Sequence, residues 1–468
     1  MVVAFMLSAS LTGVLITAGS ASAASSPGGL VLGWGGNYFG QVGNGTVSSS
    51  GCGCVPTPAP VSLPAGTTVT AVSASGVNDL ALTSTGAVLA WGDNRYGEAG
   101  NGTVSISGCG CVSTPTAVSL PSGTTVTAVS AGFWTALALT STGAVLAWGY
   151  NYSGQVGNGT VSKSGCDCVP TPTPVSLPAG TTVTSLSAGG PSDLALTSTG
   201  AVLAWGANDF GQMGNGTVSG SGCQCVPTPT PVSLPAGTTA MAVSTGGYGG
   251  LALASTGAVL AWGANYFGQM GNGTVSNYGC ECDTVPTLVS LPAGAKATAV
   301  SAGPYGDLVL TYTGRVLAWG YNPNGEVGDG TTSTSGCECV PTPTYASLPV
   351  GVTVGAVAVT ETTTLAISST GGVLAWGDNY VGELGNGTVS SSGCDCVPTP
   401  TAVNLPAGTT VADVSGNGLA LVGPTPPAGG PPSASEQGRS RNPSENPTTC
   451  PRGEPVDCGT GELSETYD

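Results

Sequence analysis

Cysteine is the residue type whose spacing most directly suggests chemistry in this 468-residue chain. Fourteen of the sixteen cysteines form Cys-x-Cys pairs: Cys52 and Cys54, Cys109 and Cys111, Cys166 and Cys168, Cys223 and Cys225, Cys280 and Cys282, Cys337 and Cys339, and Cys394 and Cys396. Such pairs can form disulfides, remain free thiols in a reducing compartment, or bind a soft metal ion as thiolates. Because one pair supplies only two of the four ligands of a tetrahedral site, metal binding would require two neighbouring loops.

The composition excludes several other kinds of site. The chain contains no histidine, so a Ser-His-Asp or Cys-His nucleophilic site and a His-ligated metal centre are impossible. It has 7 Lys+Arg against 24 Asp+Glu, a formal net charge of −17, whereas a nucleic-acid surface needs clustered basic residues. We therefore expect no catalytic residue, no cofactor, no resident metal and no nucleic-acid partner.

A repeat of 57 residues carries these cysteines. The unit Ala/Gly-Trp-Gly recurs seven times, at Trp34, Trp91, Trp148, Trp205, Trp262, Trp319 and Trp376. Each unit contains short apolar runs separated by Gly and Pro, which are typical of β-strands: VTSLSAG, two runs in LALTSTGAVLAW, and PVSLP. The prolines around PVSLP predict that this fourth run lies at a sheet edge, where a missing N–H is tolerated.

Seven units of four strands predict an all-β fold, a seven-bladed β-propeller over residues 24–422. The N-terminal piece, residues 30–35, holds the third strand of a unit. The C-terminal pieces, residues 411–414 and 419–422, hold the first two strands. The two ends therefore predict one shared blade that closes the ring and removes exposed sheet edges.

The repeat resembles that of the regulator of chromosome condensation (RCC1) family of seven-bladed propellers. The resemblance is carried by W-G-x-N-x-x-G-Q-x-G-N-G-T, as in residues 148–160, and by the upstream S-A-G-x-x-x-x-L-A-L-T-S-T-G-A-V-L-A-W-G. It covers residues 29–422. The founding eukaryotic member is a nucleotide exchange factor for a small GTPase that also binds chromatin, so a GTPase regulator is the alternative function that this resemblance implies. The resemblance assigns neither activity to particular residues of this chain. The exchange face of that protein uses histidine, which this chain lacks, and its chromatin-binding basic tail has no counterpart in this sequence.

Within such a ring, the repeated residues are expected to be structural and the departures functional. The seven repeated tryptophans predict wedges between blades, and the glycines of the G-Q-x-G-N-G-T loop predict tight turns rather than a phosphate cradle. The acidic residues of the turn, Glu98, Glu326 and Glu383, predict a solvated surface. The aromatics that depart from the repeat fall in the loop after the first strand, and we expect them to lie on one face of the ring and to contact a partner: Phe133, Trp134, Tyr248 and Tyr305. Of these, Trp134 and Tyr305 are expected to be exposed.

Local disulfides are the interpretation of the cysteines that an exported chain favours. Outer loops of adjacent blades are expected to lie beyond the Cα separation of about 7 Å that a bridge allows, so each bridge would form within its own Cys-x-Cys. A bridge across so short a loop adds little stability through loop closure and would mainly stiffen the loop.

The two ends predict export and a larger context. Residues 1–23 resemble a secretory signal peptide with cleavage after Ala23, although its first part lacks Lys and Arg. Residues 423–452 form a Pro/Gly/Ser-rich linker. Residues 453–468 resemble the start of the region that precedes Rhs/YD repeats in bacterial secreted toxins. We thus expect a secreted or cell-surface, non-enzymatic scaffold for protein or glycan binding, a monomer with no membrane span in the mature chain.

Overall fold

The described part of the chain consists of β-strands and loops. The computed structural model describes residues 29–48, 53–220, 225–276, 282–360, 362–390, 396–416 and 418–423, and the predicted signal peptide, the linker beyond residue 423 and residues 453–468 lie outside them. In chain order the strands of the described residues are β1 (Val31–Gly36), β2 (Cys54–Pro60), β3 (Val69–Ala74), β4 (Asn78–Thr83), β5 (Val88–Asp93), β6 (Cys111–Ala117), β7 (Val126–Ala131), β8 (Thr135–Thr140), β9 (Val145–Tyr150), β10 (Cys168–Pro174), β11 (Val183–Ala188), β12 (Ser192–Thr197), β13 (Val202–Ala207), β14 (Cys225–Pro231), β15 (Ala240–Thr245), β16 (Gly249–Ala254), β17 (Val259–Ala264), β18 (Cys282–Leu288), β19 (Ala297–Ala302), β20 (Gly306–Thr311), β21 (Val316–Tyr321), β22 (Cys339–Tyr345), β23 (Val354–Val359), β24 (Thr363–Ser368), β25 (Val373–Asp378), β26 (Cys396–Ala402), β27 (Val411–Ser415) and β28 (Leu419–Val422).

These strands form seven four-stranded antiparallel sheets, the blades of a propeller. Blades 1 to 6 are β3–β6, β7–β10, β11–β14, β15–β18, β19–β22 and β23–β26, each built from one continuous segment. The predicted seven-bladed propeller is confirmed.

The seventh sheet, the closing blade, is shared by the two ends of the described chain. Its strand order is β2-β1-β28-β27, and β1 pairs antiparallel with β28 through Val31 opposite Leu421 and Gly33 opposite Leu419. The prediction of a blade assembled from both ends is confirmed, with two strands from each end.

The first strand of each blade lies nearest the ring axis, because first strands of adjacent blades contact one another. A serine hydroxyl links them at six of the seven boundaries. Ser73 Oγ accepts a 2.8 Å hydrogen bond from the Ala131 N–H of the next blade, and Ser130, Ser187, Ser244, Ser301 and Ser415 do the same at 2.8–3.2 Å. Ala358 occupies the equivalent position in blade 6, so the boundary with the closing blade lacks this hydroxyl.

The seven repeated tryptophans are wedges between blades, as predicted. Each is at most 2% exposed, and each indole Nε1 donates a 2.8–2.9 Å hydrogen bond to a backbone carbonyl of the preceding blade. The tight-turn prediction for the glycines is also confirmed: Gly157 has φ +68°, and a Cβ there would lie 2.8 Å from Trp205 Nε1. The indole approaches the loop closely because that residue is glycine.

The fourth strand does not lie where the sequence predicts it. The edge strand of blade 2 is Cys168–Pro174, and the PVSLP run begins only at its last residue. Val175 then turns inward, is 7% exposed and donates its N–H to Val145 O. The edge strand tolerates its three prolines because it pairs on one side only, and its register with β9 is interrupted between Val169 and Thr173.

Candidate binding face

Two sets of loops open on the same face of the ring, which we call the loop face. In an antiparallel blade, the connections after the first and third strands emerge at one end and the others at the opposite end. The short loops after the first strands are residues 75–77, 132–134, 189–191, 246–248, 303–305, 360–362 and 416–418, and the long loops after the third strands are residues 37–53, 94–110, 151–167, 208–224, 265–281, 322–338 and 379–395. All four predicted partner-binding aromatics and the three fully described Cys-x-Cys pairs therefore belong to the loop face.

One asparagine holds each long loop on its blade. In blade 2 the Asn151 N–H donates to Asp167 O at 2.7 Å and its carbonyl accepts from the Ser162 N–H. Its Oδ1 accepts from the Val156 N–H at 3.0 Å and its Nδ2 donates to Thr160 O at 3.3 Å. Asn151 is fully buried. The loop backbone is therefore positioned by main-chain and amide hydrogen bonds at both ends.

Tyr248 and Tyr305 come together in a first aromatic cluster over blades 3 to 5. Their rings stack 6.1 Å apart with an interplanar angle of 18°, and both side chains are half-buried. Phe267 contacts Tyr305 edge-on at 5.7 Å, and the same cluster includes Phe210, Tyr266 and Tyr321. The two tyrosines predicted from separate repeats are thus the partly exposed members of one cluster, whose other aromatics are buried.

Phe133 and Trp134 belong to a second cluster over blade 2. Their rings contact at 4.7 Å, Trp134 packs on Tyr150 at 5.6 Å, and Tyr150 stacks on Tyr152 at 6.3 Å. The Lys163 ammonium lies 5.2 Å from the Tyr152 ring centroid, a cation–π contact. The expectation that Trp134 is exposed is wrong, because Trp134 is only 8% exposed beneath its neighbours. Phe133 and Tyr152 present the accessible part of this cluster.

Sequence reasoning missed the aromatics that the long loops contribute. They occupy the variable positions on either side of the asparagine in W-G-x-N-x-x-G, as Tyr150 and Tyr152 do around Asn151. The signal was present in the sequence, since positions that vary among near-identical units are repeatedly filled by tyrosine or phenylalanine: Tyr38, Phe39, Tyr96, Phe210, Tyr266, Phe267, Tyr321 and Tyr380.

The acidic residues of the G-Q turn are not on the surface, which corrects the prediction. Glu98, Glu326 and Glu383 are at most 8% exposed because this side chain folds back on its own loop, where Glu326 Oε2 accepts from the Asn324 N–H at 3.0 Å. Burial raises the pKa of Glu326 to about 8. Burial, and then repulsion from Asp93, raises the pKa of Glu98 well above its usual range.

Three further carboxyl groups are buried in second strands beneath the short loops. Asp79, Asp193 and Asp307 are at most 7% exposed. Burial raises the pKa of Asp193 to about 8 and raises those of Asp79 and Asp307 well above their usual range. Burial therefore favours the neutral form of these three carboxyl groups.

A cleft between blades 4 and 5 reaches one of these carboxyl groups. It is lined by Tyr248, Gly249, Gly250, Gln269, Pro304 and Asp307, among others. Gly249 and Gly250 stand where blade 3 has Ser192 and Asp193, and they let Trp262 pack closely, since a Cβ on Gly250 would lie 2.4 Å from the indole Cζ2. Gln269 Nε2 is buried without a hydrogen-bond partner among the described residues. The cleft thus presents one polar donor and one carboxyl group beside the stacked tyrosines.

The cysteine pairs occupy the start of the outermost strands. In the three pairs described in full, Cys109–Cys111, Cys166–Cys168 and Cys337–Cys339, a disulfide joins the two residues of one pair, with Cα atoms 5.1 Å apart. Cys54, Cys225, Cys282 and Cys396 are also disulfide-bonded, while Cys52, Cys223, Cys280 and Cys394 lie outside the described residues. The six fully described side chains are half-exposed. Whether the protein carries these bridges in solution stays a prediction.

Basic and metal-binding groups do not form a site in the described part of the chain. Its basic residues are Arg95, Lys163, Lys296 and Arg315, and Arg95 forms an ion pair with Asp93 at 2.6 Å. The described residues include no group of three or more cysteine or acidic side chains that could hold a metal ion. Nor do those residues include a helix of the length and apolarity needed to cross a bilayer.

The ring, its tryptophan wedges and its loop face define a seven-bladed propeller built from repeated units. Residues 30–421 match the RCC1-like domain, and the chain belongs to that family. The ultraviolet-B receptor UVR8 of Arabidopsis thaliana is 26% identical over 376 residues, covering 80% of this chain and 79% of UVR8.

Two other proteins show the breadth of the family. The human E3 ubiquitin-protein ligase HERC2 is 30% identical over 312 residues, which are 66% of this chain but only 6% of HERC2. Among solved structures, Prp20p of Saccharomyces cerevisiae superposes with a TM-score of 0.71 at 23% identity, covering 85% of this chain and 92% of Prp20p. That likeness shows the common fold.

Proposed function

We propose that this protein is an exported, non-enzymatic β-propeller that binds a protein or glycan partner through the loop face. The observation that carries the proposal is the gathering of non-repeated aromatics into two clusters on that face, with Tyr248, Tyr305, Phe133 and Tyr152 as their accessible members. Tyr248 and Tyr305 come from different units, yet they stack at 6.1 Å. Aromatic side chains at the centre of a contact surface commonly supply most of its binding energy.

The family supports a binding role in general terms. Prp20p, which has the same fold, binds Gsp1p and histones, and UVR8 is a receptor. We do not propose Gsp1p or histones as partners of this protein, because the aromatics of the loop face vary even between the units of this chain.

The charge of the loop face limits the chemical classes of partner that can bind there. Its half-exposed acidic side chains include Asp167, Asp283, Asp329 and Glu338, whereas Lys163 and Arg95 are the basic residues that the described loops contribute. A nucleic acid or a polyanionic glycan would be repelled by this surface. A neutral glycan or a protein surface would pack on the tyrosines without that penalty.

Export and a larger context belong to the same proposal. Residues 1–23 supply the signal-peptide pattern and residues 453–467 the similarity to the start of an Rhs-like region. The propeller would then be the N-terminal module of an Rhs-like surface protein or toxin, displaying the loop face outside the cell. N-terminal sequencing of protein recovered from the culture medium tests this directly, with Ala24 expected as the first residue.

A binding screen with matched variants tests the proposed face. The purified propeller is applied to a neutral-glycan array and to a phage-displayed peptide library, and selected ligands are re-measured with two variants. Tyr305→Ala should weaken binding at least tenfold, equal to about 1.4 kcal/mol. Tyr312→Ala removes a 64% exposed tyrosine on the opposite face and should leave affinity unchanged.

The reverse pattern, with affinity lost in Tyr312→Ala and retained in Tyr305→Ala, contradicts the proposed face. Acceleration of nucleotide release from a small GTPase by the intact propeller would instead favour the regulator that the family resemblance implies.

A further inference from the structure

The loop that carries the Cys166–Cys168 disulfide is also held by several hydrogen bonds. In blade 2 the Asn151 N–H holds the central residue of the pair through Asp167 O at 2.7 Å, and Oδ1 and Nδ2 of the same asparagine hold the middle of the loop. The following strand is held separately by its pairing with β9. A bridge across one intervening residue removes little entropy from the unfolded chain. Breaking the bridge should therefore leave the loop and the blade in place.

The bridges are also accessible. Both sulfur-bearing side chains of each fully described pair are partly exposed, and Cys339 also packs against the first aromatic cluster. Structural disulfides of secreted proteins resist reduction by glutathione, whereas exposed ones are the labile and catalytic kind. Disulfides that are accessible to external thiols, and whose loops are also held by other contacts, are better suited to thiol–disulfide exchange than to stabilising the fold.

We propose that the Cys109–Cys111, Cys166–Cys168 and Cys337–Cys339 pairs are reversible thiol–disulfide exchange sites, which accept two electrons from external thiols while the propeller stays folded. The proposed reductant is any accessible thiol, either a small one such as glutathione or a pair of cysteines on a partner protein. The inference does not depend on which ligand the aromatic clusters bind.

The exchange balances in two steps. An external thiolate attacks one sulfur of the Cys166–Cys168 bridge, the S–S bond breaks, a mixed disulfide forms, and the other cysteine leaves as a thiolate that takes up a proton. A second external thiolate attacks the external sulfur of the mixed disulfide and releases the first cysteine, which is also protonated. Two external thiols are oxidised to one disulfide, and two electrons and two protons pass to the Cys-x-Cys pair.

The central residue of each pair is expected to set its reactivity. In the four pairs where this residue is described it lies in the left-handed region, where glycine is favoured: Gly53 and Gly110 have φ of +62° and +65°, and Asp167 and Glu338 have φ of +54°. A carboxylate next to both cysteines disfavours the thiolate that must leave or attack, since like charges raise a thiol pKa. Glycine-centred pairs should thus exchange faster than acid-centred pairs.

The test equilibrates the intact protein with mixtures of reduced and oxidised glutathione, blocks thiols by alkylation and maps peptides from each loop. Both redox states of the pairs should be populated across these mixtures, with each bridge inside its own loop. The fully reduced protein should unfold within a few degrees of the oxidised one. Pairs that stay bridged in excess reduced glutathione, while the denatured chain is reduced, would overturn the proposal. So would free thiols that oxidised glutathione fails to bridge, or reduction that occurs only with unfolding.

A single variant tests the role of the central residue. Asp167→Gly converts the blade 2 pair to the sequence of the Cys109–Cys111 pair, and its reduction by glutathione should accelerate several-fold toward the rate of that pair. The unchanged Cys337–Cys339 pair, followed in the same sample, is the internal control. An unchanged rate at Cys166–Cys168 would contradict control by the central carboxylate.

Discussion

The indole Nε1 of Trp148 donates a 2.8 Å hydrogen bond to the backbone carbonyl of Glu98, which belongs to the preceding blade. Trp148 is fully buried at that boundary. The repeated tryptophan of each of the other six blades makes the equivalent contact. Blade-to-blade cohesion in this ring therefore combines an aromatic wedge with a buried hydrogen bond, repeated around the axis.

Trp148→Phe should destabilise the protein by about 2–4 kcal/mol, because it leaves the Glu98 carbonyl without its donor and opens a cavity. Chemical denaturation monitored by circular dichroism measures this. Tyr312→Ala, at a 64% exposed position, is the control and should change stability by no more than about 0.5 kcal/mol. Equal effects of the two variants would argue against the wedge.

Ring closure predicts a large effect of a short N-terminal deletion. Removing residues 26–36 deletes β1, which lies between β2 and β28 in the closing blade. Thermal unfolding should then begin at a clearly lower temperature than in the intact protein. A chain that ends at residue 423 keeps all four strands of this blade and should unfold like the intact protein. If the deletion leaves the unfolding temperature unchanged, the closing blade does not hold the ring together.

Much of this architecture could be predicted from the sequence. The seven copies of the 57-residue repeat predict seven blades, and the incomplete units at either end predict how the ring closes. The fourth strand could not be placed, because PVSLP has the alternation of a strand while the true edge strand, Cys168–Pro174, is rich in proline. The burial of Glu326 was also hidden, since a glutamate at a glutamine position looks like a surface residue until its loop folds over it. Individual aromatics such as Tyr305 were predictable as departures from the repeat, but the clusters required the relative placement of neighbouring blades.

The buried carboxyl groups predict that the propeller is more stable at acidic than at alkaline pH. Asp193 and Glu326 have pKa values of about 8 in the folded protein because of burial, against about 4 in an unfolded chain. Their stabilising contribution is complete below the unfolded value and is lost as the pH rises through the folded value. Raising the pH from 5 to 9 should therefore lower the free energy of unfolding, by an amount on the order of 1 kcal/mol or more per carboxyl group, and the thermal midpoint should fall with it.

Neutral variants provide the control for this pH dependence. Glu326→Gln introduces the residue that four other units carry at this position, Gln41, Gln155, Gln212 and Gln269, and Asp193→Asn removes the second charge. The double variant should show a flatter stability profile than the parent. A parent protein that becomes more stable between pH 5 and pH 9 would contradict the assignment.

Trp134 and Tyr305 should now behave differently from each other. Trp134 is 8% exposed beneath Phe133 and Tyr150, so Trp134→Ala should cost about 3–5 kcal/mol. Tyr305 is half-buried, and Tyr305→Ala should cost about 1–2 kcal/mol. Urea unfolding of both variants gives the comparison, and a cost below about 1 kcal/mol for Trp134→Ala would mean that its ring is not part of the packing.

Hydrogen–deuterium exchange tests most directly whether the loop face is the binding face. It is measured on the propeller with and without a peptide or glycan selected in the binding screen. Ligand binding should slow exchange in residues 246–248, 303–305 and 265–276, which surround the stacked pair Tyr248 and Tyr305. The turns of the opposite face, such as residues 312–315, should exchange at the same rate in both samples. Protection confined to those opposite turns, with the loop face unaffected, would contradict the assignment of the loop face as the binding face.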